Sequence, residues 1–457
     1  MPPSIPPELL AAFPPDVVWG VATSAYQIDG AADADGKGAS IWDRFCRVPG
    51  AIADGSDGDT ACDHYHRWQE DLELIASLGV DAYRFSLSWP RIRPTGAGAW
   101  NGKGLDFYDR LVDGLLARGI QPHLTLNHWD LPAELQARGG WAARDTVHRF
   151  VEYAQGVAAR MGDRVATITT HNEPWVIATL GHETGVFAPG VKDRAAAMQA
   201  SHNLLLSHGL ALQALRAQGC KARLGIVLNL SPIAPATSSP EDVARARLDD
   251  GTSVRWYMDP LFKGAYPQDV LDHLGPDAPQ IEAGDLQHIA TPMDFLGVNY
   301  YTRSVVSAAG NWDVKTSGKA LTDMGWEIYP EGLTELLLRL HHDYRVPPLY
   351  IKENGAAFKD VLEGGQVHDT ERSDYIARHI AAVGDALQQG VPMAGYMVWS
   401  LLDNFEWASG YDKRFGIVHV DYATQARTPK DSALWYRDFL QAQKALRQGV
   451  DYTLAGG

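Results

Sequence analysis

The chain has 457 residues, 45% hydrophobic and 21% charged, which is ordinary for a soluble globular protein and ample for a large core. Its 56 acidic against 40 basic residues give a net charge of −16, which argues against nucleic acid or an anionic membrane as partner. No apolar run approaches the roughly 20 residues that cross a bilayer. Three cysteines (Cys46, Cys62, Cys220) at spacings that match no metal motif point to a reducing, cytoplasmic setting without required disulfides.

Residues 1–14 hold five prolines and no basic stretch leading into an apolar one, so they read as a flexible N-terminal segment and not as a secretory leader. Val17 to Ala22 follows as a short apolar strand that runs into Thr23–Gly30. A loop rich in Gly, Asp and Ala leads to a helix from His64 to Leu78, with Leu72, Ile75 and Leu78 on one stripe. His64 and His66, two residues apart, fall on different sides of that helix and read as structural. Strand–helix pairs then repeat: Asp81–Trp89 with Leu105–Arg118, Gln121–Leu126 with Asp145–Met161, and Val165–Thr170 with Arg194–Gln218. Ala222–Leu228 precedes a long loop-and-helix stretch to Pro292. Met293–Val298, Leu349–Glu353 and Met393–Leu402 are each followed by a helix, at Glu331–Tyr344, Thr370–Gln389 and Ser432–Leu446.

Eight apolar strands alternating with helices, with no low-complexity linker between them, predict an α/β protein: a (β/α)8 TIM barrel, one catalytic domain over 1–457 with long βα loops. Polar, acidic and aromatic residues follow the strands: Gln27, Arg84, His128, Glu173, Asn229, Tyr301, Glu353 and Trp399. In such a barrel these ends share one face, where active sites are built. Taken singly, each has a plain structural reading: a strand-end Glu caps a loop, an Arg forms an ion pair, a Trp packs the mouth. Their convergence on one face is harder to attribute to packing.

Two carboxylates across a pocket can cleave a glycosidic bond, one ionised as nucleophile and the other protonated as acid and then acting as base. Arg84 near Glu353 would suit the nucleophile, and an apolar setting around Glu173 would suit the acid; on chemistry alone the two roles are interchangeable.

The chain resembles family 1 of the glycoside hydrolases, the β-glucosidase family, along nearly its whole length. The resemblance is carried by Gly20–Gln27, Tyr83–Arg91, Asn127–Pro132, Asn172-Glu173-Pro174, Gly297–Tyr301, Glu353-Asn354-Gly355 and Trp399–Trp407, in family order. It implies retention through a covalent glycosyl-enzyme, with Glu173 as acid/base and Glu353 as nucleophile. Retention goes with carboxyl groups about 5–5.5 Å apart. It further implies that Gln27, His128, Trp129, Asn172, Tyr301, Glu406 and Trp407 bind the sugar, that Trp399 is the floor beneath it, and that Arg84, Asn299 and Phe415 support the site. No cofactor and no metal are implied. The partners implied are small β-glycosides and cello-oligosaccharides, with self-association left open.

Lys352 stands where the family usually has Thr, and His171 where Leu or Phe is common. Both are expected to point away from the neighbouring Glu and to matter little. Asp29 and Phe187 replace a common Glu and His. Glu406-Trp407 stands where relatives that take 6-phosphosugars carry Ser and Lys, which favours an unphosphorylated sugar. Glucose, galactose and fucose remain alternatives. Rival readings are a transglycosidase, with acceptor choice in the loops around Val176, His182, Phe187 and Trp326, and a sugar-binding barrel without catalysis. A metal-dependent barrel hydrolase is disfavoured for want of ligands.

Overall fold

A computed structural model describes residues 3–448. Eight parallel strands close into a barrel: β1 (Val18–Ala22), β2 (Ala82–Ser86), β3 (Gln121–Asn127), β4 (Thr167–Asn172), β5 (Arg223–Asn229), β6 (Phe295–Asn299), β7 (Leu349–Asn354) and β8 (Met393–Trp399). Each pairs with its sequence neighbours, and β1 closes on β8. This is the (β/α)8 architecture that the alternating pattern predicts. The strands are buried on both faces, against the helices outside and one another's side chains inside, so they read as apolar runs and not as alternations.

The outer helices form because their apolar residues recur at helical spacing. Gly102–Ala117 buries Phe107, Tyr108, Leu111, Val112 and Leu115 on one face. Each of these contributes about 1.5–3 kcal/mol by leaving water, and Leu111→Ala would cost about 2–5 kcal/mol. The helix ends at Ala117, and Gly119 takes up the left-handed backbone (φ 71°) that turns the chain into β3. Asp193 starts Arg194–Ala217 by accepting the Ala196 amide on its side chain. Among the described residues no helix is long and apolar enough to cross a membrane.

Residues 3–14 depart from the flexible segment expected at 1–14; residues 1 and 2 lie outside the described chain. Pro7 opens a short helix, Pro7–Ala11, and Ile5, Leu9, Leu10 and Phe13 are buried. The C-terminal helix Asp431–Arg447 fixes this segment: Trp435 Nε1 donates to the Pro3 carbonyl and Gln443 Nε2 to that of Leu10. Four apolar side chains within nine residues outweigh the prolines that suggested mobility.

Two strands carry an extra residue near their C-terminal ends. Between β4 and β5, Thr169 pairs with Gly225 but Asn172 with Val227, so three steps on β4 match two on β5. On β7, Ile351 pairs with Val298 and Glu353 with Asn299, two steps against one, and the register against β8 slips at the same place. Such bulges re-aim side chains and recur beside active sites. Here they immediately precede Glu173 and coincide with Lys352-Glu353.

Candidate active site

The strand ends surround a cavity of about 240 Å3, lined among others by His128, Trp129, Glu173, Tyr301, Glu353, Trp399, Glu406, Trp407 and Phe415. Glu353 receives two donors: Arg84 Nη1 lies 2.6 Å from Oε1, and the Tyr301 hydroxyl donates to Oε2 at 2.6 Å. Two donors on two oxygens fit a carboxylate, which only accepts. β2 and β7 are not neighbours in the barrel, so the Arg84–Glu353 pair crosses its interior.

Arg84 reaches further. Its Nη2 donates to Asn172 Oδ1 at 2.7 Å and its Nε to Thr125 Oγ1 at 3.3 Å. Asn299 Nδ2 bridges Asn172 Oδ1 at 3.0 Å and Glu173 Oε1 at 2.6 Å. One polar layer therefore joins β2, β3, β4, β6 and β7.

Burial, reinforced by the charge of Glu353, pushes the Glu173 carboxyl up to about 8. Glu406 is likewise pushed up to about 8 by burial and by Glu353. Both therefore hold a proton at neutral pH. His128 is held well below its usual range by burial, with Arg84 adding to the effect, so its imidazole is neutral. Its Nε2 faces Asn172 Nδ2 at 3.3 Å and acts as acceptor, which leaves the proton on Nδ1, buried and without a partner among the described residues.

The aromatic wall is continuous. Trp407 packs on Trp129 and Trp42, each with ring centres 4.6 Å apart, and lies nearly parallel to Tyr26 and His128. Trp399 lies nearly parallel to His128, and Phe415 meets Tyr301 edge-on. Trp129, Glu173 and Trp407 all adopt left-handed backbone (φ 77°, 49° and 51°), which is rare for bulky residues and clusters where a site over-determines the conformation.

Gln27, Asn172 and Arg84 stand immediately behind the lining. Gln27 Nε2 donates to Asn404 Oδ1 and the Phe405 carbonyl, and reaches Glu406 Oε2 at 3.4 Å, so it fixes the loop that carries Glu406. That loop is anchored from below by a buried ionic cluster. Asp403 accepts from Lys430 Nζ and Arg414 Nη1, both at 2.7 Å, and Lys430 also pairs with Asp360, which Arg372 grips with both arms.

Two expectations change. Lys352 does not point away from the site: its Nζ crosses the barrel to His123 Nδ1 at 2.7 Å, because the β7 bulge turns it and Glu353 to the same side. His182, expected in an acceptor loop, is buried, with its ring nitrogen on the Ile177 carbonyl, whereas Val176, Phe187 and Trp326 do line the cavity. His171 faces outward as expected, stacked on Phe150 and bonded to Ser207 of the helix behind. His64 is a buried partner of Asp71. Leu180, Thr302 and Met324 also line the cavity. Thr302 and Met324 lie in irregular loops, and Leu180 lies in a short wide helical turn, Val176–Glu183, that the sequence pattern did not mark; only the position of Thr302 next to Tyr301 offered a signal.

The model for Glycosyl hydrolase family 1 matches residues 9–445. Beta-glucosidase A of Acetivibrio thermocellus is 48% identical over 94% of this chain and 98% of its own. A bifunctional beta-D-glucosidase/beta-D-fucosidase of Bifidobacterium breve is 43% identical over 95% and 99%. Among solved structures, beta-glucosidase from Thermotoga maritima in complex with glucoimidazole is 46% identical and superposes with a TM-score of 0.91, over 94% of this chain and 99% of that one. Barrel, cavity and sequence agree, and the chain belongs to glycosyl hydrolase family 1.

Proposed function

We propose that this protein is a retaining β-glucosidase in which Glu353 is the nucleophile and Glu173 the acid/base. Glu353 attacks the anomeric carbon of a terminal β-D-glucosyl residue while Glu173 passes its proton to the glycosidic oxygen, and the bond to the leaving alcohol breaks. Glu173, now a carboxylate, takes a proton from water as that water attacks the same carbon, and Glu353 is released. The reading is carried by one asymmetry: a carboxyl raised to about 8 faces one held by a guanidinium and a phenol.

Trp399 serves as the floor under the sugar. Glu406, His128 and Trp407 face its hydroxyls, with Gln27 and Asn172 completing the polar set from behind. The proposed substrates are small β-glucosides and cello-oligosaccharides, with β-fucosides as a secondary class; the apolar ring of Trp129, Trp175 and Trp326 at the cavity supports binding of the leaving group. The cytoplasm is the proposed compartment, supported by Cys46, Cys62 and Cys220 standing as free thiols.

The test is hydrolysis of 4-nitrophenyl β-D-glucoside by wild type and Glu353→Ala, with and without azide. An active wild type, an inactive variant and recovery as the α-glucosyl azide support the reading. A variant with near-native activity, or a wild type inactive on a panel of β-glycosides, overturns it.

A further inference from the structure

Beneath the polar layer of the site lies a second one that the mechanism does not use. Lys352 is fully buried, and its Nζ meets His123 Nδ1 at 2.7 Å and Thr167 Oγ1 at 3.4 Å. β3 lies four strands from β7, so this bond spans the lumen. The amine also sits 4.5 Å above the Tyr350 ring and 5.0 Å from that of Phe295. Gly297 leaves room for its stem: a Cβ there would come within 2.8 Å of Lys352 Cγ.

Among the described residues no carboxylate contacts this amine. The ionisable groups facing it are His123 on β3, Arg84 on β2, Arg223 on β5 and Tyr350 on its own strand. Burial and the two guanidiniums hold Lys352 well below its usual range, and burial with the neighbouring amine holds His123 well below its own. What the Lys352 side chain supplies to Glu353 is geometry.

That geometry is specific. Arg84 Nη1 is shared between the Lys352 carbonyl at 3.1 Å and Glu353 Oε1 at 2.6 Å. Both acceptors face Arg84 only because β7 bulges there, and the Lys352 side chain is the tether on the inner side of the bulge.

We propose that Lys352 is a positioning residue for Glu353: seated on His123 across the barrel, it holds the bulge that keeps the Glu353 carboxylate on Arg84 and aimed into the cavity. The proposal rests on the reading of Glu353 as nucleophile. Loosening such an anchor affects the attack step more than substrate binding.

The test measures labelling by 2,4-dinitrophenyl 2-deoxy-2-fluoro-β-D-glucoside, which stops at the glycosyl-enzyme, followed by intact mass. The variants are Lys352→Met, which keeps the stem, His123→Leu, His123→Gln and the double variant Lys352→Met/His123→Leu. Lys352→Met and His123→Leu are expected to label about tenfold more slowly at saturation, with half-saturation within about twofold of wild type. The double variant should be no slower than the slower single one, because both remove the same bond. His123→Gln, which restores an acceptor, should label close to wild type. Labelling of Lys352→Met and His123→Leu within twofold of wild type, multiplying losses in the double variant, or equal losses in His123→Gln and His123→Leu overturns the proposal. If Lys352→Met does not fold, the contrast between His123→Gln and His123→Leu decides. A wild type that takes no label overturns the proposed function and this inference with it, whereas a labelled wild type with equally labelled variants overturns only the inference.

Discussion

One guanidinium serves both strands that carry the paired glutamates: Arg84 Nη1 lies 2.6 Å from Glu353 on β7, and Nη2 lies 2.7 Å from Asn172, the neighbour of Glu173 on β4. Lysine cannot span two acceptors in this way. Arg84→Met would leave buried acceptors without a donor, at a cost of about 3–5 kcal/mol. Arg84→Lys and Arg84→Met should therefore both lower kcat for 4-nitrophenyl β-glucoside by about two orders of magnitude and lower the melting temperature, as read by steady-state kinetics and calorimetry.

Glu173 acts as acid only while it holds its proton. With its carboxyl pushed up to about 8, kcat/KM should fall on the alkaline side with an apparent midpoint near that value. Glu173→Gln should remove that limb and spare substrates with good leaving groups. The linkage runs as a destabilisation with rising pH: a free glutamic acid loses its proton near 4.5, and the folded one keeps it to about 8. The folded state therefore binds more protons in that window, and stability falls as pH rises through it. Glu173→Gln should melt a few degrees above wild type at pH 9, a gain absent at pH 4, as thermal scans at the two pH values would show.

Glu406 also holds its proton at neutral pH, so it can donate to a sugar hydroxyl. Glu406→Gln keeps a donor and should cost little in kcat/KM, whereas Glu406→Ala should cost about 1–3 kcal/mol, or tenfold and more. No Lys or Arg is among the residues lining the cavity. A 6-phospho-β-glucoside should therefore be a poor substrate, and increasingly so above pH 8 as Glu406 ionises. Parallel assays of the two glycosides across pH check both points.

Lys430 is fully buried between Asp403 and Asp360. Lys430→Met leaves two buried acids short of a cation, which costs about 3–5 kcal/mol. The melting temperature should drop by several degrees. Because Asp403 anchors the loop of Glu406 and Trp407, KM should rise even well below the melting temperature.

The barrel was legible because strands buried on both faces form unbroken apolar runs, and because polar groups at their ends have no place in a core. Glu173, Glu353, His128, Tyr301 and Trp399 could be named for that reason. Lys352 was misplaced by the same rule that found them: two-residue alternation puts it opposite Glu353, and a bulge, which depends on the register of β6 and β8, leaves no local mark. The partnership of Asp403, Lys430, Asp360 and Arg372 was invisible because ion pairs between residues 12, 27 and 70 apart leave no spacing signal. The helix Pro7–Ala11 was lost because prolines, read as breakers, here serve as its first turn.

The buried cluster also sets an order of assembly. Asp360 and Asp403 leave the ribosome before Lys430, the cation that lies between them. Until it arrives, the wall carrying Glu406 and Trp407 is held by Gln27 and by the pairing of Arg414 with Asp403 but not by Lys430, although all eight strands of the barrel have been made. The last anchor of the site is thus among the last contacts that the nascent chain can make, and a product truncated before residue 430 would hold both paired glutamates while Asp403 and Asp360 lacked the cation between them.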